Sequence, residues 1–103
     1  MNSRIGFVTS VVSALDPQLR FAGEEKFDYV EVLMDGLQSH ERLASNATTI
    51  ERGLERHGLD LLVHLPFPTD IGSPYESVRT GAVTTQQACL DIAAELGAEK
   101  AVL

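Results

Sequence analysis

The sequence predicts an α/β chain built of parallel βα repeats, and three observations carry that prediction. Short apolar runs alternate with amphipathic stretches in the order β-α-β-α-β-α-β. The second and third runs are nearly continuous in apolar residues, as strands covered on both faces are. No low-complexity linker interrupts the chain, whose 103 residues suffice for a single domain, 1–103, and not for two.

Arg4 to Val12 carries Ile5, Phe7, Val8, Val11 and Val12 and reads as strand one. Asp16-Pro17 then reads as an N-cap followed by a first-turn proline, whose missing N–H costs nothing at that position. The helix expected from Pro17 to Phe27 buries Leu19, Ala22 and Phe27, and Gly23 weakens it by about 1 kcal/mol relative to alanine. Tyr29 to Met34 is strand two, broken only by Glu31, and Asp35-Gly36 is a turn. A second helix, Glu41 to His57, places Leu43, Ala47, Ile50 and Leu54 on one face, with Gly58 as its C′ residue.

Asp60 to Leu65 is strand three, apolar inside except for His64 and ended by Pro66 and Pro68. Ser73-Pro74-Tyr75-Glu76 combines an N-cap, a first-turn proline and a capping-box glutamate. The helix it opens runs to Leu96, with Val78, Ala82, Cys89, Ile92 and Ala93 on one face and Gly97 at its end. Lys100 to Leu103 begins strand four. Two architectures fit this order: a small doubly wound sheet, or the first half of an eight-stranded barrel. Ending on an apolar strand without a covering helix leaves an open edge, so a chain cut after strand four, which self-associates through that edge, is expected.

Composition narrows the function classes. The hydrophobic fraction is 44%, the mean hydropathy is 0.00, and no run approaches the roughly 18 apolar residues of a membrane span. The first residues lack the apolar region of a secretory signal, which predicts a cytoplasmic protein with no membrane partner. One cysteine, Cys89, excludes an intrachain disulfide, and its place on an apolar helix face reads as core. Fifteen acidic residues against eight basic ones give a net charge of −7, a balance that repels nucleic acid except at a local basic pocket. Lysine is scarce, and an acidic, lysine-poor surface is compatible with a halophilic source.

In a parallel α/β structure the strand C-termini and the loops after them form the functional face. Thr9, Ser10 and Ser13 follow strand one there, Asp35 and His40 follow strand two, and His64 and Asp70 flank the end of strand three. Asp28, His57, Asp60 and Glu99 fall at the opposite end or on helix ends and read as structural. Alternation along strand three puts His64 on one face with Leu62, against Val63 and Leu65 on the other. A histidine so placed serves as a metal ligand, as a general acid/base, or as a buried neutral imidazole satisfied by hydrogen bonds. Glu31, mid-strand among apolar neighbours, either faces a polar barrel interior or pairs with a base such as Arg4. Gly72-Ser73-Pro74 has neither the GxGxxG nor the P-loop spacing.

The segment Val63-His64-Leu65-Pro66-Phe67-Pro68-Thr69-Asp70-Ile71-Gly72-Ser73-Pro74, followed by a long helix ending Ala93-Ala94-Glu95-Leu96-Gly97-Ala98, resembles strand three, loop and helix of the xylose-isomerase-like TIM-barrel superfamily. The Phe27 to Val32 entry to strand two is also common in that group. The resemblance extends over the whole chain as three βα units plus strand four, and it implies an N-terminal portion of a longer barrel. It implies a sugar or sugar-phosphate isomerase or epimerase, with a divalent metal (Mn, Mg or Zn) polarising a carbonyl and acid/base groups moving the α-proton in the intact parent.

Carried over by position, His64 matches a strand-three histidine that is a zinc ligand in the apurinic endonuclease branch and lines the substrate pocket in the isomerase branch. The resemblance thus implies His64 alone, as a catalytic residue and metal ligand; position adds Glu31 as a second catalytic candidate, and Thr9, Asp35, His40 and Asp70 on the functional face as substrate-binding candidates. Gly6-Phe7-Val8-Thr9-Ser10 has valine where the endonuclease branch has histidine, and the acidic balance offers no basic stripe for DNA. A metal-dependent phosphodiesterase is therefore the alternative enzyme. A noncatalytic half-barrel that self-associates is the alternative of another class. The 103 residues alone, with one family-matched ligand, are expected to be inactive.

Overall fold

A computed structural model describes residues 3–66 and 69–103; Phe67 and Pro68 of the strand-three motif lie outside the described residues. In chain order the elements are β1 (Gly6–Val8), α1 (Leu15–Glu24), β2 (Tyr29–Leu33), a 3₁₀ turn (Gly36–Gln38), α2 (His40–Ser45), α3 (Ala47–Arg56), β3 (Asp60–His64), α4 (Glu76–Glu95) and β4 (Lys100–Val102). The strands form one parallel sheet in the order β1-β2-β3-β4. A doubly wound sheet would seat β1 inside the sheet, between β2 and either β3 or β4; here β1 is at the edge, so the half-barrel architecture is the one adopted.

Period-two alternation sorts the sheet into two faces. Val30, Val32, Leu61 and Val63 are buried, and they share one apolar core with Leu19 and Ala22 of α1, Leu43 of α2, Ile50 and Leu54 of α3, and Cys89 and Ala93 of α4. All the helices therefore cover the same face. Tyr29, Glu31, Leu33, Leu62 and His64 alternate with those core residues, are only partly buried, and point to the other side. Register adds Gly6 and Val8 beside Tyr29 and Glu31, and Lys100 and Val102 beside Leu62 and His64.

At the N-terminal end of the sheet, Arg4 bridges Asp60 and Glu99 and lies over the Tyr29 ring. Asp28 accepts a hydrogen bond from the Ile5 amide at 2.7 Å. These acids thus tie the strand starts together, as their position predicts. The alternative that Arg4 neutralises Glu31 does not hold, because Arg4 is engaged one end of the sheet away.

Several boundaries differ from the sequence expectation. β1 is limited to Gly6–Val8, since the chain beyond Thr9 turns away and leaves Val12 exposed. Asp16 is not the N-cap of α1: the cap is Ala14, and Asp16 sits in the first turn, where a carboxylate still meets the positive end of the helix dipole. Phe27 lies beyond α1 rather than in its last turn, packed against Phe7 with ring centroids 5.5 Å apart. The single helix expected over Glu41–His57 is two, broken at Asn46, whose side chain donates back to the Arg42 carbonyl. Such local bonding is what makes asparagine a helix interrupter. Ser73 does not cap α4 either. Its hydroxyl accepts from the Tyr75 amide and forms a turn before the helix, which starts at Glu76. Gly58 and Gly97 do end α3 and α4 in the left-handed conformation, at φ of 62° and 79°.

Candidate functional site

Parallel strands in sequential order bring the loops after β1, β2 and β3 to one end of the sheet, and every candidate residue except Glu31 falls at that end or in those loops. His64 is the last residue of β3 and is in register with Leu33 and Val102 on the face opposite the helices. Its Nδ1 lies 2.8 Å from the Leu65 carbonyl oxygen. A carbonyl only accepts, so Nδ1 carries a proton, and in the uncharged tautomer Nε2 holds the lone pair. That tautomer suits a ring whose Nε2 accepts a proton or binds an electrophile.

Glu31 shares this face, in register with Val8 and Leu62. Strand spacing and rise place its Cα about 8 Å diagonally from that of His64. Lys100 flanks Leu62 on the other side. No ion pair holds the Glu31 carboxylate among the described residues. The face thus carries a carboxylate, an imidazole and an ammonium on an otherwise apolar floor of Val8, Leu33, Leu62 and Val102.

Thr9 is placed differently from what substrate binding needs. It is 4% exposed, and its hydroxyl donates to Gln38 Oε1 at 2.6 Å. Gln38, fully buried, donates in turn from Nε2 to the Ser10 carbonyl at 2.6 Å. Together they clamp the end of β1 to the turn after β2, a structural knot under the site. Sequence reading missed Gln38, because a glutamine in a short polar turn carries no signal of burial.

Asp35 caps that turn, its Oδ1 accepting from the Gly36 amide at 2.8 Å. Asp70 does the same for its own loop, accepting from the Gly72 amide at 3.0 Å. His40 opens α2 with Nε2 3.9 Å from Glu41 Oε1. Among the described residues neither His40 nor Asp70 is hydrogen-bonded to Glu31 or Asp35. The fold therefore gathers His64 and Glu31 on one face, keeps Asp35 close to the strand ends as a turn-former, and leaves His40 and Asp70 on separate loops.

Among the described residues no three of His, Cys, Asp and Glu converge as a metal site would require. The side chains present supply one imidazole and one carboxylate on the open face, which is too few to hold a divalent cation at a fixed point. Among them, too, no helix is long and apolar enough to cross a membrane.

No family model matches the sequence, and no curated protein matches it. Among solved structures, a xylose isomerase domain protein from Alicyclobacillus acidocaldarius superposes with a TM-score of 0.69 at 23% identity. The match covers 95% of this chain and 35% of that one. The chain thus shares the fold of part of that protein and spans about a third of its length.

Proposed function

We propose that this chain is the first portion of a barrel that isomerises or epimerises a small sugar or sugar phosphate, with the open sheet face as part of the interior. The observation that carries this reading is His64: a histidine at the C-terminal end of a parallel strand, on the face away from the helices, with Nδ1 tied to a carbonyl and the lone pair on Nε2. Isomerisation takes the α-proton and returns a proton to the former carbonyl carbon, while epimerisation returns one to the opposite face of the α-carbon; each needs a base that takes the proton and an acid that gives it back. His64 Nε2 is suited to the first task and Glu31, across the strand, to holding a substrate hydroxyl or relaying the proton. The apolar floor around them lowers the local dielectric and strengthens both interactions. A divalent cation that polarises the carbonyl would draw its ligands from βα units outside this chain, since the described residues do not form a metal site. The edge of β4 is where such units, or a second copy, would add.

The test is solvent-proton exchange. Aldoses, ketoses and their phosphates are incubated in D₂O with the barrel that contains this sequence, and deuterium at the α-carbon is followed by NMR. Exchange should fall by about 10²-fold or more in His64→Gln, while the 103-residue chain alone should show none. Unchanged exchange in His64→Gln would remove His64 from the reaction.

A further inference from the structure

On the outer side of the helices, far from the open sheet face, the charge balance of the molecule is locally inverted. Arg20, Arg52 and Arg56 line a groove of about 350 Å³ between α1 and α3, together with Thr49, His57 and Asp16. Half of the chain's arginines therefore converge on one groove, in a protein with fifteen acids and eight bases. Among the described residues none of these three guanidiniums is ion-paired; the pairs are Arg4 with Asp60 and Glu99, and His40 with Glu41.

The arrangement follows from helical spacing. Thr49, Arg52 and Arg56 recur at three and four residues and fall on the face of α3 turned to α1. Glu51 and Glu55 of the same helix stay out of the lining, and among the described residues neither is ion-paired to these arginines. Packing fixes the walls: a Cβ on Gly23 would sit 2.6 Å from His57 Cβ and 2.7 Å from its Nδ1, so α1 needs glycine there despite the helix propensity lost. The negative end of the α3 dipole accounts for Arg56 and His57. It does not account for Arg20 and Arg52, which sit in helix interiors.

We propose that this groove binds a small phosphate-bearing molecule. Guanidinium groups present forked donors that match phosphate oxygens, and three that are not ion-paired among the described residues line this one groove. The volume suits a small ligand, and a net charge of −7 disfavours a long polyanion such as nucleic acid. Asp16, the one carboxylate in the lining, repels a bare anion and accepts from a hydroxyl. It therefore favours a hydroxyl-bearing phosphate monoester over free phosphate.

The experiment is a titration of the ¹⁵N-labelled chain with inorganic phosphate, glycerol phosphate and chloride, each at the same ionic strength. Saturable amide shifts confined to Asp16–Arg20 and Thr49–His57 are expected with the phosphates and not with chloride. Arg52→Gln with Arg56→Gln should weaken binding by about tenfold or more, while Arg79→Gln on α4, outside the groove, leaves it unchanged; an amide spectrum retained away from the groove verifies that each variant is folded. Tighter binding of glycerol phosphate identifies the monoester as ligand, and equal affinity identifies free phosphate; both support the site. Absence of saturation, matching shifts with chloride, or undiminished binding in the folded double variant would overturn it.

Discussion

The two faces of the sheet are made by neighbouring residues with different fates. Leu61 is 3% exposed among the helices, while Leu62, the next residue on the same strand, is partly open on the other side. One face is closed by its own chain: Val30, Val32, Leu61 and Val63 meet aliphatic residues from all four helices. The other mixes Val8, Leu33 and Leu62 with Glu31, His64 and Lys100 and meets no helix. The difference separates residues that serve the chain's own core from residues that, among those described, its helices leave uncovered.

Substituting the two leucines breaks the comparison most directly. Leu61→Ala should cost about 2–5 kcal/mol, from lost burial and the cavity left behind, and Leu62→Ala under about 1 kcal/mol. Urea unfolding followed by circular dichroism measures both. Equal costs would show that the open face is covered in solution, by a second copy or by other chain.

A smaller effect tests the polar knot between the faces. Thr9→Val removes the donor to a fully buried Gln38 and should cost about 1–3 kcal/mol, because the amide oxygen is left without its partner. A loss well below that range would return Thr9 to the list of residues free to meet a ligand.

The smallest effect at neutral pH concerns Cys89. Burial pushes its thiol above the ordinary value of 9.0, so the folded chain keeps the proton where the unfolded chain releases it. The unfolded state then binds fewer protons above that ordinary value, and stability falls as pH rises past it. Thermal midpoints between pH 7 and pH 10 should fall more steeply for the native chain than for Cys89→Ala. Parallel curves would place the thiol in contact with solvent.

The parity of His64 was legible because it rests on period two, which burial on one face enforces; the strand order was not, since βα alternation alone fits two architectures and only the family resemblance favoured the barrel. Helix boundaries were less legible, and the failures share a cause. Asp16-Pro17 and Ser73-Pro74 are good caps by residue type, yet each is displaced from the cap by tertiary placement of the chain. The break at Asn46 competes with an apolar spacing that runs unbroken from Leu43 to Leu54. Site residues divide similarly. His64 and Glu31 can be placed by strand alternation, whereas Asp35, His40 and Asp70 depend on loop geometry that no periodicity encodes. The arginine groove was invisible for another reason: its members come from two helices whose facing sides only packing selects.

The strand order has a consequence for how the chain is made. Gly6 pairs with Tyr29, Tyr29 with Asp60 and Leu62 with Lys100, so each strand is laid against the one synthesised before it. No strand has to wait for a later partner or be threaded between two that are already joined. The three loop closures are of similar length and differ in entropic cost by only about 0.5 kcal/mol. Assembly can therefore proceed vectorially, one βα unit at a time as the polypeptide leaves the ribosome, with every intermediate presenting the edge that the next unit will use.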